Sequence, residues 1–170
     1  GIIKAEVKEN IVNIKLTAAK NLQRNLDIIL NEKSFRVDFL NTGVPHAIVY
    51  TQDIMNEDVC GVGRGIRSHS RFSPEGTNVD FVQKQGEDEL RVRTYERGVE
   101  DETLACGTGV TAVALAMFKT GKTSNQEINL NVEGGKLKVK FDAESDRFTN
   151  VFLIGPASFV FEGIFNVEKL

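Results

Sequence analysis

The sequence lacks the features that mark several broad classes of protein. Its two cysteines and two separated histidines among 170 residues are too few for a disulfide framework and show no metal-ligand spacing. Its formal net charge of −3 leaves no basic stripe for nucleic acid. No apolar run approaches the roughly 18–20 residues of a membrane span, and no signal-like segment opens the chain. We therefore expect a reduced, cytoplasmic protein with no metal, membrane or nucleic-acid partner.

Short strands account for most of the chain. Alternating apolar and polar residues mark the candidate strands, and turn signals at residues 85–88 and 133–135 separate two pairs of them. Residues 17–30 are ambiguous, because they have partial helical spacing and no clear cap. The predicted strands cover residues 1–7, 11–16, 35–41, 46–50, 77–83, 89–96, 127–132, 136–141, 150–154 and 158–163.

One segment, residues 107–120, departs from the strand pattern. Gly121 follows it as a natural residue to end a helix, and Lys119 places a positive charge in the last turn. Small and apolar side chains occupy nearly every face of this predicted helix, so it has to be surrounded by protein. The sequence therefore predicts an α+β fold, a strongly curved mixed or antiparallel sheet wrapped around one central buried helix.

Cys106 stands where this helix begins. The thiolate is the reactive form of cysteine, and the N–H groups at a helix N-terminus favour negative charge and lower the pKa of a thiol. Gly107 and Gly109 have no side chains, so the amides of the first turn can approach an anion closely. This short segment therefore offers both a base and a holder for an acidic substrate.

The alternative interpretation is that Cys106 is a small buried hydrophobic residue, as most free cysteines are. The two glycines that follow it argue for function, because glycine weakens the start of a helix and is expected to bring no packing benefit there. The residues alone leave both interpretations open.

Several motifs resemble those of one enzyme family, in the same order. Tyr95-Glu-Arg-Gly98, followed by Glu102-Thr-Leu-Ala-Cys-Gly-Thr-Gly109, resembles the C-terminal half of diaminopimelate epimerase. The resemblance covers nearly the whole chain. Three further runs fit the same family, namely Asn41-Thr-Gly-Val-Pro-His46, Pro74-Glu-Gly-Thr-Asn-Val-Asp-Phe81 and Gly155-Pro-Ala-Ser-Phe-Val-Phe-Glu-Gly163.

The resemblance implies two similar domains, each a sheet around a central helix, with the substrate between them and no PLP or other cofactor. One cysteine from each domain faces the substrate α-carbon; one removes the proton as thiolate and the other delivers a proton from the far side. Cys106 matches the cysteine of the C-terminal domain, and Gly107 and Thr108 match the amides that hold the α-carboxylate. The implied reaction interconverts LL- and meso-diaminopimelate in bacterial lysine and peptidoglycan biosynthesis.

The resemblance also implies roles for four other residues. Glu96 and Arg97 match a substrate-contacting pair in which Arg97 would bind the distal carboxylate, and Asn78 matches an amide at the same end. His46 matches a histidine that, with Glu96, helps to tune the thiol. Each has a structural alternative: an exposed charged pair for Glu96 and Arg97, a turn-stabilising role for Asn78, and a half-buried, backbone-bonded ring for His46.

The chain departs from the family pattern at two points. The family often has Asn where this chain has Val44, so that substrate contact is lost or taken over by another residue such as Asn41. The loop 99–103 is one residue longer and more acidic than the common form, which can alter the field around Cys106. Cys60 echoes the motif of the second catalytic cysteine, but the basic, glycine-broken residues after it predict a loop, so we do not assign it as the second base.

We expect the second cysteine in an N-terminal domain that is missing here. Residues 1–164 would form the C-terminal domain, and residues 165–170 a strand that returns to the N-terminal one. On this hypothesis the chain folds but does not catalyse, and a homodimer is one option for its assembly. Three alternatives stay open: another isomerase of this fold, such as a proline or hydroxyproline racemase or a phenazine-pathway enzyme; a cysteine acyltransferase or hydrolase, which needs a histidine near Cys106; and a non-catalytic assembly domain.

Overall fold

The computed structural model describes residues 3–17, 19–145 and 147–164. Two α-helices, α1 (Val59–Arg67) and α2 (Gly107–Lys119), and two 3-10 turns at Ile54–Asn56 and Ser70–Phe72 interrupt a succession of strands. The strands are β1 (Lys4–Lys8), β2 (Ile11–Lys15), β3 (Lys20–Leu30), β4 (Lys33–Asn41), β5 (Pro45–Tyr50), β6 (Asn78–Lys84), β7 (Glu89–Glu96), β8 (Asp101–Thr103), β9 (Glu127–Val132), β10 (Gly135–Glu144) and β11 (Arg147–Pro156).

The described strands form one mixed sheet. Ten of the eleven follow the order β1-β2-β11-β10-β9-β7-β6-β5-β4-β3, and β8 pairs with β7 outside this path. Neighbouring strands are antiparallel except for the parallel pairs β5–β6 and β7–β9. The register of β5, β6 and β7 sets His46 beside Asn78, and Asp80 opposite Thr94. This register decides which side chains meet beneath the start of α2.

Helix α2 is the centre of the larger hydrophobic core. Its residues 109–117 are all buried, as the apolar composition on every face requires. The helix contacts β4 and β5 and also β10 and β11, which stand near opposite ends of the strand order. A sheet can touch one helix from both sides only if it curves around it. The predicted α+β fold with a curved sheet around a buried helix is confirmed.

A second helix, α1, covers the other face of the sheet, so the prediction of a loop after Cys60 and of a single helix is wrong. It buries Val59, Gly63 and Ile66 against a second core that includes Tyr95. A Cβ on Gly63 would lie 2.5 Å from the Cβ of Tyr95, so glycine allows the helix to pack closely on β7. The helix is amphipathic rather than apolar all round, which is why its composition did not indicate a buried helix.

Three further expectations about the chain have different outcomes. Most of the ambiguous segment 17–30 is strand β3, because it pairs along β4 through an irregular register. The strand predicted at 158–163 is wrong: residues 157–164 have no regular secondary structure, and Phe159, Val160 and Phe161 are exposed. The strand predicted at 165–170 lies outside the described residues.

Neither of the two helices is long and apolar enough to cross a membrane, within the residues that the structure describes.

Candidate active site

Cys106 immediately precedes α2. Its backbone is extended, with φ −123° and ψ 107°, and its carbonyl accepts the first hydrogen bond of the helix from the Val110 amide at 2.9 Å. The residue is 7% exposed, and its side chain makes no capping hydrogen bond. The first N–H groups of an α-helix have no partner within the helix, so the amides of Gly107, Thr108 and Gly109 point toward the end where the thiol lies.

The pKa of the Cys106 thiol is raised to about 11. Burial is the largest cause and the negative charge of Asp80 the next, while the Thr108 hydroxyl and the Gly109 amide, which can donate hydrogen bonds to a thiolate, act in the opposite direction. The charge of Glu96 raises it. The lowered pKa predicted from the helix start is therefore wrong for this chain, because loss of water around the sulfur and two nearby carboxylates outweigh the helix amides.

A buried chain of hydrogen bonds joins Cys106 to His46. Thr108 Oγ1 lies 3.5 Å from Cys106 Sγ and 3.1 Å from His46 Nε2. His46 Nδ1 lies 2.7 Å from Asp80 Oδ2, and the Thr94 hydroxyl donates to the other Asp80 oxygen at 2.8 Å. His46 and Asp80 are both 0% exposed. The alternative of a half-buried, backbone-bonded histidine is therefore wrong, and His46 reaches the thiol through Thr108.

Asp80 is the member of this network that the sequence interpretation missed. It lies in the run 74–81, from which only Asn78 was singled out, and on β6 it shares a face with Asn78 and Val82 because side chains alternate along a strand. A carboxylate at a position where the strand pattern expects a core side chain was a usable signal. Because such a group is rarely buried without partners, it pointed to a polar network inside the core.

Gly109 has a packing role that the sequence interpretation denied it. A Cβ at this position would lie 2.4 Å from Asp80 Oδ1 and 3.3 Å from the Cβ of Cys106. Glycine therefore lets the first turn of α2 rest directly on the buried carboxylate. At Gly107 the nearest atom to a Cβ would be the flexible end of the Leu153 side chain, at 2.7 Å.

Asn78, Glu96 and Arg97 meet where β6 begins and β7 ends. The Arg97 amide donates to Asn78 Oδ1 at 2.8 Å, and Arg97 Nη1 donates to the Glu75 carbonyl at 3.0 Å. Glu96 is half-buried and close enough to affect the pKa of Cys106, so it is not simply part of an exposed charged pair. Arg97 and Asn41 also line one cavity of about 380 Å³.

The acidic loop after Arg97 is held by α1. Arg67 donates to Glu100 through Nε at 2.9 Å and Nη2 at 2.8 Å, and Cys60 Sγ donates to Asp101 at 3.0 Å. The carboxylates that shift the pKa of Cys106 are those of Asp80 and Glu96 rather than those of this loop.

Cys60 lies on the opposite face of the sheet from Cys106. Its helix, α1, packs on the core that contains Val79 and Tyr95, whereas α2 packs on the core that contains Val82 and Val92. In the part of the chain that the structure describes, no three His, Cys, Asp or Glu side chains are grouped to hold a metal ion.

Comparison with known proteins shows the relationship of this chain. Residues 39–160 match the family model described as diaminopimelate epimerase. The chain belongs to the diaminopimelate epimerase family. It is 52% identical to the diaminopimelate epimerase of Flavobacterium psychrophilum over 124 residues, 73% of this chain and 48% of that protein. It is 43% identical to the one of Aquifex aeolicus over 173 residues, 100% of this chain and 61% of that protein. The chain thus spans about half to three-fifths of the length of these relatives.

Solved structures outside the diaminopimelate epimerases share the fold at low sequence identity. A hydroxyproline epimerase from Agrobacterium vitis aligns with a TM-score of 0.70 at 15% identity, over 94% of this chain and 55% of that one. The Bacillus anthracis phenazine biosynthesis protein of the PhzF family aligns with a TM-score of 0.67 at 16% identity, over 96% and 64%. At this identity the likeness shows the fold, not the chemistry.

Proposed function

We propose that this chain is one half of a diaminopimelate epimerase, in which Cys106 exchanges a proton with the substrate α-carbon without PLP. One observation carries the proposal: Cys106 is a buried thiol at the start of a helix that is enclosed in the core. Membership of the diaminopimelate epimerase family supports the substrate, and the match at residues 39–160 contains every residue assigned to the site.

The first turn of α2 would hold the substrate α-carboxylate. The amides of Gly107 and Thr108 and the dipole of a 13-residue helix together favour an anion at this end. A carboxylate bound there sits beside Cys106, so the α-carbon attached to it comes within reach of the sulfur. The same few residues thereby bind the substrate and orient the reacting centre.

Cys106 in its resting state would be the proton donor. A thiol with a pKa of about 11 is protonated at neutral pH and can deliver its proton to a developing carbanion. Inversion also needs a base on the opposite face of the α-carbon. Cys60 is not that base, because it lies on the far side of the sheet. The second acid–base group would come from another half of the protein. Residues 1–164 would form the C-terminal domain and face that half.

Arg97 and Asn78 would bind the distal end of the substrate. A guanidinium group presents a planar fork of donors that fits a carboxylate, and an amide N–H₂ adds a further donor. Val44 cannot donate a hydrogen bond, and Asn41 lines the same cavity as Arg97, so Asn41 is the residue best placed to take over the contact. Glu96 and His46 would set the protonation state of Cys106, His46 through Thr108.

An acyl-transfer enzyme is the alternative from a different class, because Cys106, His46 and Asp80 are the residue types of a catalytic triad. The geometry does not favour it. Thr108 Oγ1 lies between the sulfur and His46 Nε2, so the imidazole is not bonded to the nucleophile as general-base activation requires.

Hydrogen exchange at the substrate α-carbon tests the proposal. In D₂O, protein that contains both halves should place deuterium at the α-carbon of LL- and meso-diaminopimelate and interconvert them, with no thioester on Cys106 by mass spectrometry. L-Proline and trans-4-hydroxy-L-proline, which have no distal carboxylate, should not exchange. The 170-residue chain alone should show no interconversion. A thioester on Cys106, or exchange of proline in preference to diaminopimelate, would contradict the assignment.

A further inference from the structure

Asp80 is a fully buried carboxylate for which the proposed reaction has no direct use. It stands on β6, is 0% exposed, and has one oxygen against His46 Nδ1 and the other against the Thr94 hydroxyl. Burying a charged carboxylate is costly unless hydrogen bonds satisfy its oxygens. Here the side chains of His46 and Thr94 supply those bonds, and Gly109 leaves room for the carboxylate.

The direction of the hydrogen bonds around His46 follows from Asp80. An ionised carboxylate can only accept, so the proton of the 2.7 Å contact belongs to His46 Nδ1. A neutral imidazole protonated at Nδ1 accepts at Nε2, and the Thr108 hydroxyl therefore donates to it across 3.1 Å. Because the Thr108 hydroxyl donates its hydrogen bond to His46, the Thr108 oxygen accepts one from the Cys106 S–H, across 3.5 Å.

The reversed arrangement carries more charge. An imidazolium at His46 would donate to Thr108, whose hydroxyl would then donate to a Cys106 thiolate. That state adds a positive and a negative charge to a site where His46 and Asp80 are fully buried and Cys106 is nearly so. Of these two arrangements, the one with a neutral imidazole and a neutral thiol buries fewer charges beside the Asp80 carboxylate, so it is the resting one.

We propose that Asp80 is a positioning residue that fixes His46 as its Nδ1–H tautomer and thereby holds Cys106 as a neutral proton donor. The proposal rests on the proposed acid–base role of Cys106, and Asp80 acts through His46 and Thr108 without touching the substrate. In the step that this prepares, the S–H bond of Cys106 breaks, its electron pair stays on sulfur, and the proton forms a C–H bond with the α-carbanion.

Two variants of this chain separate the role of Asp80 from a general effect on folding. Asp80→Asn removes the charge and offers an amide that can donate to His46 Nδ1. The Nδ1 atom then no longer has to carry the proton of the imidazole. Asp38→Asn is the matched control, because Asp38 is also buried (3% exposed) and accepts from Tyr50 at 2.6 Å and from the Asn25 amide at 2.9 Å, without a histidine partner.

The first readout is the tautomer of His46, measured by ¹⁵N NMR of histidine-labelled chain at neutral pH with His69 as internal reference. We expect His46 to be protonated at Nδ1 alone in the wild type and in Asp38→Asn, and to gain Nε2–H in Asp80→Asn. An imidazolium or an Nε2–H tautomer in the wild type overturns the proposal. Thr108→Val provides a test that does not alter Asp80, because it should leave the tautomer unchanged; a change there would mean that Thr108 sets it instead.

The second readout is the pH dependence of Cys106 alkylation, resolved from Cys60 by peptide mass spectrometry. Asp80→Asn should lower the Cys106 midpoint by about one pH unit, since a like charge is lost and Thr108 can now donate to sulfur. Cys60 should not move, and Asp38→Asn should leave both cysteines as they are. An unchanged Cys106 midpoint in Asp80→Asn, or an equal fall in Asp38→Asn, overturns the proposal. Neither readout needs turnover, so failure of the proposed epimerase reaction would show separately, in the deuterium exchange.

Discussion

The two helices lie on opposite faces of one sheet, and their N-termini are built differently. The N-terminus of α1 is capped by the residue before it, because the Asp58 side chain accepts a hydrogen bond from the Gly61 amide at 2.9 Å. The residue at the equivalent position of α2 is Cys106, whose side chain makes no capping bond. An N-cap side chain of this kind satisfies one of the amides that the helix start leaves without a partner. A helix start that is left without its own cap can bind a carboxylate from elsewhere.

The two cysteines extend the comparison. The pKa of each thiol is raised, but the largest cause is burial for Cys106 and a hydrogen bond to Asp101 for Cys60. A raised pKa alone therefore does not distinguish a functional thiol from an incidental one. The surroundings of the two thiols do differ. Cys106 lies at the start of α2 and is linked through Thr108 to the buried His46–Asp80 pair, whereas Cys60 bonds to the exposed carboxylate of Asp101.

The largest expected effect is on catalysis. Replacing Cys106 by Ala should reduce deuterium exchange at the α-carbon of diaminopimelate about 10³-fold in protein that contains both halves, because acid–base groups contribute on this scale. Cys60→Ala should stay within about twofold of the wild type by the same assay, since it removes a thiol from the other face. Equal losses in the two variants would remove the functional distinction between the helices.

A glycine in the first turn of each helix gives the next test. In Gly109→Ala the new Cβ would meet Asp80 Oδ1 at 2.4 Å, and that carboxylate is locked by His46 and Thr94, so we expect a loss of about 2–3 kcal/mol in the free energy of unfolding. In Gly61→Ala the Cβ would meet the exposed end of Asp58 at 2.1 Å, which can rotate away, and the change should stay below about 1 kcal/mol. Urea denaturation measures both. A loss below about 1 kcal/mol for Gly109→Ala would show that the buried Asp80 carboxylate can move out of the way.

The thiol of Cys106 should make stability depend on pH in the alkaline range. Its pKa rises from 9.0 when unfolded to about 11 when folded, so the native state keeps the proton longer. The resulting stability is complete below pH 9 and is lost as the pH rises through about 11. Relative to Cys106→Ala, the wild type should lose roughly 2 kcal/mol over this interval by urea denaturation.

The Cys106→Ala variant also serves as the control for other groups that titrate in the alkaline range. The pKa of Tyr50 is raised by burial and by its contact with Asp38, but Tyr50 is present in both proteins and cancels in the difference. A difference between the two proteins that stays flat from pH 9 to 11 would mean that Cys106 is not dehydrated as the structure indicates.

The smallest effect concerns the cap of α1. Asp58→Ala should lower the free energy of unfolding by about 1 kcal/mol, because the Gly61 amide loses its acceptor. Asp58→Asn should stay close to the wild type, since asparagine caps about as well. Thermal or urea unfolding of the three proteins checks this. An Asp58→Ala variant as stable as the wild type would argue against the contrast between a capped α1 and an uncapped α2.

Local patterns in the sequence determined much of this protein. The alternation of β6, β7, β9 and β10 and the apolar composition of α2 were readable because each depends on neighbours within a few residues. The motif around Cys106 likewise placed the thiol at the start of α2. Helix α1 was missed for the converse reason: its glycines read as breaks, and only the tertiary contacts of Gly63 with Tyr95 on β7 and of Gly65 with Leu30 on β3 show why those two are needed.

Only the tertiary structure decided the protonation of the site. The sequence placed Cys106 at a helix start, where a lower pKa is expected, but the pKa follows from burial and from Asp80, and both depend on how α2 docks against the sheet. His46 and Asp80 are 34 residues apart and meet because β5 and β6 pair in parallel with His46 beside Asn78. The sequence by itself determined the family and the place of Cys106 at the start of a helix. The packing of distant strands decided that the pKa of its thiol is raised, because dehydration and a buried charge act only once the core has formed.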